Sequence, residues 1–436
     1  MKRVLIITYY WPPTGGGGVQ RWLKFVKYFR NFGVEPIIFT PENPERPSTD
    51  DSLLDEIPNN IKIITNNIWE PYSFYKQFTG RKKSDKIQTA FLNEKKVKSS
   101  LLENIAIWIR GNIFIPDARK FWIKPSVKLL SDYLNINDVD AIISTGPPHS
   151  AHLIAYHLKQ NTNIPWLADF RDPWTNIDYY RDLKLGKRAD KKHHHLEKLV
   201  LQKADSVSVI SPGMQKEFKS IVDRKYHIIQ NGYDTEDIID HKITETNDFV
   251  LSHIGSMSKT RTPYCLLEVL SEIIKENESF EKKLIIKNVG KIDTHALESF
   301  KKNGLTNKLE LVDYLPHNEV IAEQQSASML LLLVNDTPNA KLILTGKIFE
   351  YLASKRPIIC VAPEDGDAAK VISECNAGKT FGFNEKKKLK KYILESFENF
   401  ESGNLVANSK NTEQYSREHL TKKMSDVIKE ISANDR

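Results

Sequence analysis

Short apolar runs rich in β-branched residues recur along the chain at residues 4–8, 34–39, 61–64, 141–144, 166–168 and 207–210, each bounded by turn formers. Between many of them lie stretches with a 3.6-residue apolar period, such as 19–32 and 151–159. Strands alternating with helices predict parallel sheets covered on both faces. The alternation pauses after Asn231-Gly232-Tyr233-Asp234 in a polar, acidic stretch that runs to Asp248. It then restarts at 249–254, 284–289, 309–312, 329–334 and 358–361. The expectation is an α/β chain of two domains, 1–232 and 233–412, each with a parallel sheet. A helical stretch over 413–436, with no strand after it, is expected to pack back on the first domain. Two segments break the pattern: residues 41–60 read as a surface loop, and 70–128 as a basic, aromatic-containing insertion.

Composition narrows the class. A chain of 436 residues, 40% apolar and 27% charged, is long enough for two or three domains and too apolar for a disordered protein. The net charge of +7 is local, since residues 81–128 alone carry twelve basic and four acidic side chains. Nothing in this distribution calls for a nucleic-acid partner. Three cysteines, Cys265, Cys360 and Cys375, lack metal-ligand spacing and suit a reducing compartment. The first residues read as a strand rather than a leader, and the longest apolar run, 329–334, is far too short to cross a bilayer. A cytoplasmic location follows as the expectation.

Candidate chemistry clusters where strands end. Gly15-Gly16-Gly17-Gly18 follows the first strand and precedes a helix, a place suited to an anion, though a plain tight turn fits too. The run matches neither a dinucleotide fingerprint nor a P-loop; Glu42, after the second strand, keeps a nicotinamide-binding reading open. His149, in Thr145-Gly146-Pro147-Pro148-His149-Ser150, stands near a helix start and suits acid/base work or polar stabilisation. Asp169, Arg171 and Asp172, in WLADFRDPW, suit a polyol-binding mouth, with a structural ion pair of Arg171 as the competing reading. In the second half, Gly255, Ser256 and Arg261 form a glycine turn with cations. Thr345, Gly346, Lys347 and Glu350 open a helix whose lysine suits phosphate and whose glutamate suits hydroxyls; a solvated Lys347–Glu350 pair is the plainer alternative. Phosphate-suited loops in both halves imply a ligand between the domains. His193, His194 and His195 are consecutive on a helical stretch and cannot converge on a metal; they read as a solvated face.

In order along the chain, ITYYWPPTGGGGVQRWLKFVKYF, STGPPHSAHL, WLADFRDPW, IQNGYD, HIGSMSKTRTP and TGKIFEYLASKRPIICVAPEDGDAA resemble the bacterial family 4 glycosyltransferases of the GT-B fold. The similarity spans roughly residues 1–380. It implies two Rossmann-like domains facing across a cleft, with donor binding chiefly on the second. Transfer then occurs with retention of configuration and without a catalytic metal or other cofactor. By the same resemblance, Gly15 to Gly18 match the first glycine-rich loop. His149 matches the histidine that contacts the transferred sugar, with His152 close by. Gly255 and Arg261 match the ends of the diphosphate loop, and Glu350 the ribose-binding glutamate. Two positions depart: Ser256 stands where the family carries Arg, and Leu342 where it carries the first of two glutamates. Asn335, Asp336 and residues 364–367 are candidates to take over the sugar contacts.

The function expected is transfer from a nucleoside-diphosphate sugar to a glycan or lipid-linked acceptor, in cell-surface polysaccharide synthesis. Arg261, Lys347 and His149 are the catalytic candidates. The alternatives are a GT-B sugar-nucleotide epimerase and a noncatalytic nucleotide-sugar- or polysaccharide-binding subunit. The insertion adds a further expectation. Leu101, Leu102, Ile105, Ile107, Trp108, Ile109, Ile113, Phe114, Ile115, Phe121 and Trp122, interleaved with Lys95, Lys96, Lys98, Arg110, Arg119, Lys120 and Lys124, suit an anionic membrane surface. Packing of the same helices on the first domain is the other reading.

Overall fold

In a computed structural model, the first strand β1 (Lys2–Ile7) is buried from Val4 onward, as a strand covered on both faces must be. The structure describes residues 1–46, 48–71, 101–238, 247–313 and 315–433. The chain divides into two units, Met1–Gln230 with Arg417–Arg436, and Asn231–Ser416. Each is a parallel sheet with helices on its faces, so both Rossmann-like halves of the expected α/β fold are present.

The first unit has a seven-stranded sheet in the order β3-β2-β1-β4-β5-β6-β7. Its strands after β1 are β2 (Val34–Pro41), β3 (Lys62–Asn66), β4 (Ala141–Gly146), β5 (Trp166–Phe170), β6 (Ser206–Val209) and β7 (His227–Ile228). The order reverses between β1 and β4, so the segments after these two strands flank the switch point where such sheets bind ligands. Two glycines of the run and His149 lie on those segments. The Arg417–Ala433 helix presents Leu420, Met424, Val427, Ile428 and Ile431 at helical spacing, and they share one core with Val19, Trp22, Phe25 and Phe29 of helix α1 (Gly17–Phe29).

The insertion divides. Within the described residues it contributes the helices Leu101–Asn112 and Lys120–Leu134. Trp122, expected among the membrane-facing groups, is instead fully buried, stacked 5.3 Å from Phe39 with its indole N–H donating to Asn66 Oδ1. Its neighbours Trp108 and Phe121 stay exposed. Lys95, Lys96 and Lys98 lie outside the described residues. The segment expected as a surface loop over 41–60 carries buried Leu53 and runs under the glycine loop, where the Gly15 N–H donates to Ser48 O and the Asp50 N–H to Pro13 O.

The second unit has six parallel strands in the order β10-β9-β8-β11-β12-β13. They are β8 (Phe249–Ile254), β9 (Leu284–Val289), β10 (Leu309–Val312), β11 (Met329–Leu333), β12 (Ile358–Val361) and β13 (Gly378–Phe381). The switch point here lies between β8 and β11. Gly255 to Arg261 follow β8, and Asn335 to Lys347 follow β11. No helix among the described residues is long and apolar enough to cross a membrane.

Candidate functional site

In the first unit the four glycines play different parts. A Cβ on Gly15 would meet Ser48 Oγ at 3.0 Å, and one on Gly18 would meet the Arg171 guanidinium at 2.9 Å. Gly16, at φ +98°, needs the freedom of glycine, and nothing approaches Gly17. The Gly15 amide is taken by Ser48, so the run is not a uniform row of open donors. Its exposed part is Gly16 and Gly17.

Asp169 and Arg171 require correction as sugar-side residues. Asp169 is fully buried; its oxygens accept from Arg21 Nη2 at 2.7 Å, Arg21 Nε at 3.1 Å, Trp22 Nε1 at 2.9 Å, Thr145 Oγ1 at 3.0 Å and Ser208 Oγ at 2.8 Å. Burial pushes its pKa up, but Arg21 and these donors outweigh it and hold the carboxyl below its usual value. Arg171, nearly buried, donates to the carbonyls of Gly18, Gly146 and Pro147. It clasps the glycine run to the loop that carries His149. Asp172 is half-buried, and burial raises its pKa against the pull of Arg171.

His149 sits just before the Ser150–Thr162 helix, 7% exposed, with its ring stacked 4.3 Å from Trp174 at an interplanar angle of 3°. Its Nδ1 is buried with no hydrogen-bond partner among the described residues. Burial, then repulsion by His152 and His193, moves its pKa well below the ordinary histidine value. The ring is therefore neutral at physiological pH and suited to hydrogen bonding rather than to proton donation. His152 is a core residue: fully buried, 2.8 Å from Ser144 Oγ, with a pKa lowered to about 3 by burial. The position before the helix is held by Asp117, which accepts from the Ser150 N–H and Oγ–H at 2.9 and 2.7 Å. That tie from the insertion was not apparent in the sequence.

His193 departs from the solvated face expected for the histidine triplet. It is 4% exposed and accepts from Trp174 Nε1 at 3.1 Å, whereas His194 and His195 are exposed. Glu197, one turn on, accepts from the backbone of Trp174 and Thr175 and from Thr175 Oγ1. Together they fix the indole on which His149 rests.

In the second unit the chain turns sharply after β8. Gly255 adopts φ +129°, and a Cβ there would lie 1.9 Å from Lys347 Nζ, so the lysine lies against bare backbone. Arg261 is aimed by Asn335, whose Oδ1 accepts from Nε at 2.8 Å, and by Ser256, whose carbonyl accepts from Nη1 at 3.0 Å. Asn335, a candidate sugar ligand, thus directs Arg261. Ser256, the position that departs from the resembled family, contributes its carbonyl to holding Arg261. Burial, then repulsion by Arg261, brings the Lys347 pKa down to about 7, against an opposing pull from Glu350. The Lys347–Ala353 helix is tied to β8 by Tyr351, whose hydroxyl accepts from the Ile254 N–H at 2.9 Å. Glu350 Oε2 accepts from Gln324 Nε2 at 3.3 Å, an additional contact rather than a solvated pair with Lys347. Thr345 Oγ1 is buried with no partner among the described residues. Leu342 ends a short 3-10 turn and is half-buried. Of the acidic loop, Asp365 pairs with Lys341 at 2.6 Å, and Asp367 is buried.

Two basic side chains, Arg261 and Lys347, meet at a glycine turn at the switch point of a parallel sheet, a place suited to an anion. No protein-family model and no curated protein matches the chain. Solved structures do. The chain is similar over its full length to the whole of sucrose-phosphate synthase from Thermosynechococcus elongatus, with a TM-score of 0.65 and 13% identity. It is likewise similar over 100% of its length to 99% of a glycosyltransferase from Rickettsia africae, with a TM-score of 0.63 and 16% identity. Anabaena Alr3699/HepE, solved in complex with UDP-glucose, matches over 100% of this chain and 98% of its own, with a TM-score of 0.56 and 12% identity. At these identities the likeness is one of fold: the pair of Rossmann-like units that make up the GT-B class.

Proposed function

We propose that the chain is a glycosyltransferase that moves a sugar from a nucleoside-diphosphate sugar to a glycan or lipid-linked acceptor, with retention and without a metal, in cell-surface polysaccharide synthesis. The observation that carries this reading is the placement of Arg261 and Lys347 at the Gly255 turn. Breaking the bond to the anomeric carbon leaves negative charge on the departing diphosphate. Donors already aimed at that charge lower the barrier, each by about 3–4 kcal/mol. Asn335 and Ser256 hold Arg261 in place, and burial keeps Lys347 poorly solvated, so an arriving diphosphate replaces little water around either. Glu350 accepts hydrogen bonds from the ribose hydroxyls. The leaving phosphate takes the acceptor's proton. On the first unit, neutral His149 offers hydrogen bonding to the transferred sugar, with Gly16 and Gly17 giving close backbone approach. A lipid-linked acceptor places the reaction at the cytoplasmic face of a membrane.

Purified protein incubated with a panel of nucleotide-sugars, with and without lipid-linked acceptors, tests the reading. Release of nucleoside diphosphate that depends on acceptor supports it, and activity that survives exhaustive chelation supports the metal-independent form. Interconversion of the nucleotide-sugar without release would make the chain an epimerase; binding without turnover would make it a binding subunit.

A further inference from the structure

We propose that the first unit carries a membrane-docking face, built from exposed aromatic residues of the insertion and from a second basic segment that the fold brings beside it, and that its partner is an anionic lipid surface. The inference is independent of the donor chemistry proposed above.

The apolar part is assembled around Lys120. Phe121 packs 4.8 Å from Trp69 and 6.0 Å from Phe114, and Lys120 lies over both phenylalanine rings while donating to Ile113 O. These groups are not core. Trp69 is 52% exposed, Ile113 49%, Trp108 47% and Phe121 42%. Large side chains are left in water here although Trp122, between two exposed or half-exposed neighbours, is fully buried by the same helix. On the Leu101–Asn112 helix leading into this cluster, Ile105 and Trp108 are three residues apart and share a face, and both are exposed.

The charge comes from two places. Residues 184–198 hold six basic and two acidic side chains, distant in sequence from the insertion. The structure joins them to it: the Gly186 N–H donates to Asn112 Oδ1 at 2.7 Å, Asn112 Nδ2 donates to Lys184 O at 3.2 Å, and Lys184 pairs with Asn104. Residues 101–128 hold five basic and two acidic side chains, so the two segments together carry +7, of which one charge, that of Arg119, is paired with Glu70 at 3.0 Å. Three of the four acids are engaged internally, Glu197 with the Trp174 loop, Asp117 with Ser150 and Asp190 with the Tyr180 hydroxyl. Lys120 lies close enough to Lys192 for repulsion to add to burial in lowering its pKa. Lys124, Lys128, Lys184, Lys187, Arg188, Lys191 and Lys192 are all exposed.

Exposed Trp and Phe beside a cluster of exposed lysines match an anionic bilayer, in which the rings enter the interface and the amines meet lipid phosphates. A protein partner of ordinary interface chemistry would favour the aromatic residues but not so many lysines.

Flotation of the full chain with phosphatidylcholine vesicles containing about a third phosphatidylglycerol, against pure phosphatidylcholine, tests the proposal. The expected result is binding to the anionic vesicles, weakened by 0.5 M salt and weak or absent on the neutral ones. Lys191→Gln with Lys192→Gln is expected to weaken binding by at least about tenfold, and Trp108→Ser with Phe121→Ser to weaken it at both salt concentrations. Unchanged circular dichroism and melting would show that the variants are folded. No binding to anionic vesicles, equal binding to both compositions, or loss of the exposed face through self-association of the chain would each overturn the proposal.

Discussion

Lys347 occupies the space that Gly255 leaves by having no side chain: a Cβ at 255 would stand 1.9 Å from the lysine Nζ, on backbone at φ +129°. Gly255→Ala is therefore expected to displace the ammonium as well as strain the turn. The loss of a charge-assisted contact, about 1.5–3 kcal/mol, weakens nucleoside-diphosphate binding by about 10- to 100-fold. Lys347→Ala removes the same charge where it matters more, and turnover should fall by ~10² to 10³, with a smaller change in donor affinity. Glu350→Gln should mainly weaken nucleotide binding, because a ribose hydroxyl is present equally in ground and transition states. Calorimetry of the diphosphate together with steady-state kinetics checks all three; near wild-type turnover in Lys347→Ala would sink the assignment.

Proton uptake should accompany diphosphate binding. With a pKa of about 7 in the ligand-free protein, Lys347 is largely neutral at pH 8, and a bound diphosphate restores its charge. Uptake should be small at pH 6 and grow through pH 7 to 8, read from binding heats in buffers of different ionisation enthalpy. Because the unfolded lysine binds its proton up to its ordinary value of 10.5, the ligand-free second unit should also gain stability as pH rises above about 7. Both effects should vanish in Lys347→Ala.

The role of His149 is separable from donor binding. His149→Ala is expected to reduce transfer while leaving nucleoside-diphosphate affinity nearly intact, since the diphosphate is assigned to the second unit. Its neutral ring implies that the transfer rate shows no inflection from this residue between pH 6 and 8. An acidic-limb pKa in that range that disappears in the variant would contradict a neutral role.

Much of the fold was legible because fully buried strands such as β8 and β11 are continuous apolar runs, flanked by turn residues. The strands that escaped were β7, two residues long, and β13, whose Gly-Lys-Thr-Phe carries no apolar pattern. Loops that hold ligand-suited residues were legible as positions, not as directions. Asp169 and Arg171 lie in a segment rich in charge, and only packing shows that one serves Arg21 and the other the carbonyls of Gly18, Gly146 and Pro147. The tie of Asp117 to Ser150 joins residues 33 apart and depends on how the insertion folds. His193 was hidden for a similar reason: helical spacing excludes a metal shared with its neighbours but does not say which of three histidines faces the core.

The buried pair of Arg21 and Asp169 supplies a stability test independent of catalysis. Both side chains are fully buried, and Arg21 also donates to Ile229 O and Gln230 O, so the pair ties α1 to β5 and to the end of β7. Asp169→Ala leaves the guanidinium without its charge partner, and the first unit should lose about 3–5 kcal/mol. Replacing both with apolar residues, Arg21→Met with Asp169→Leu, should cost less than the single change, because no buried charge is left alone. The pH dependence has a definite sign. Since the folded carboxyl titrates below its unfolded value, its contribution is complete above the ordinary carboxylate range and is lost as pH falls through the lower, folded pKa. Urea unfolding from pH 7 down to pH 3 should show this decline in the wild type and a flatter profile in the double variant. An Asp169→Ala protein as stable as wild type at pH 7 would refute the assignment of this pair as the anchor of the first unit.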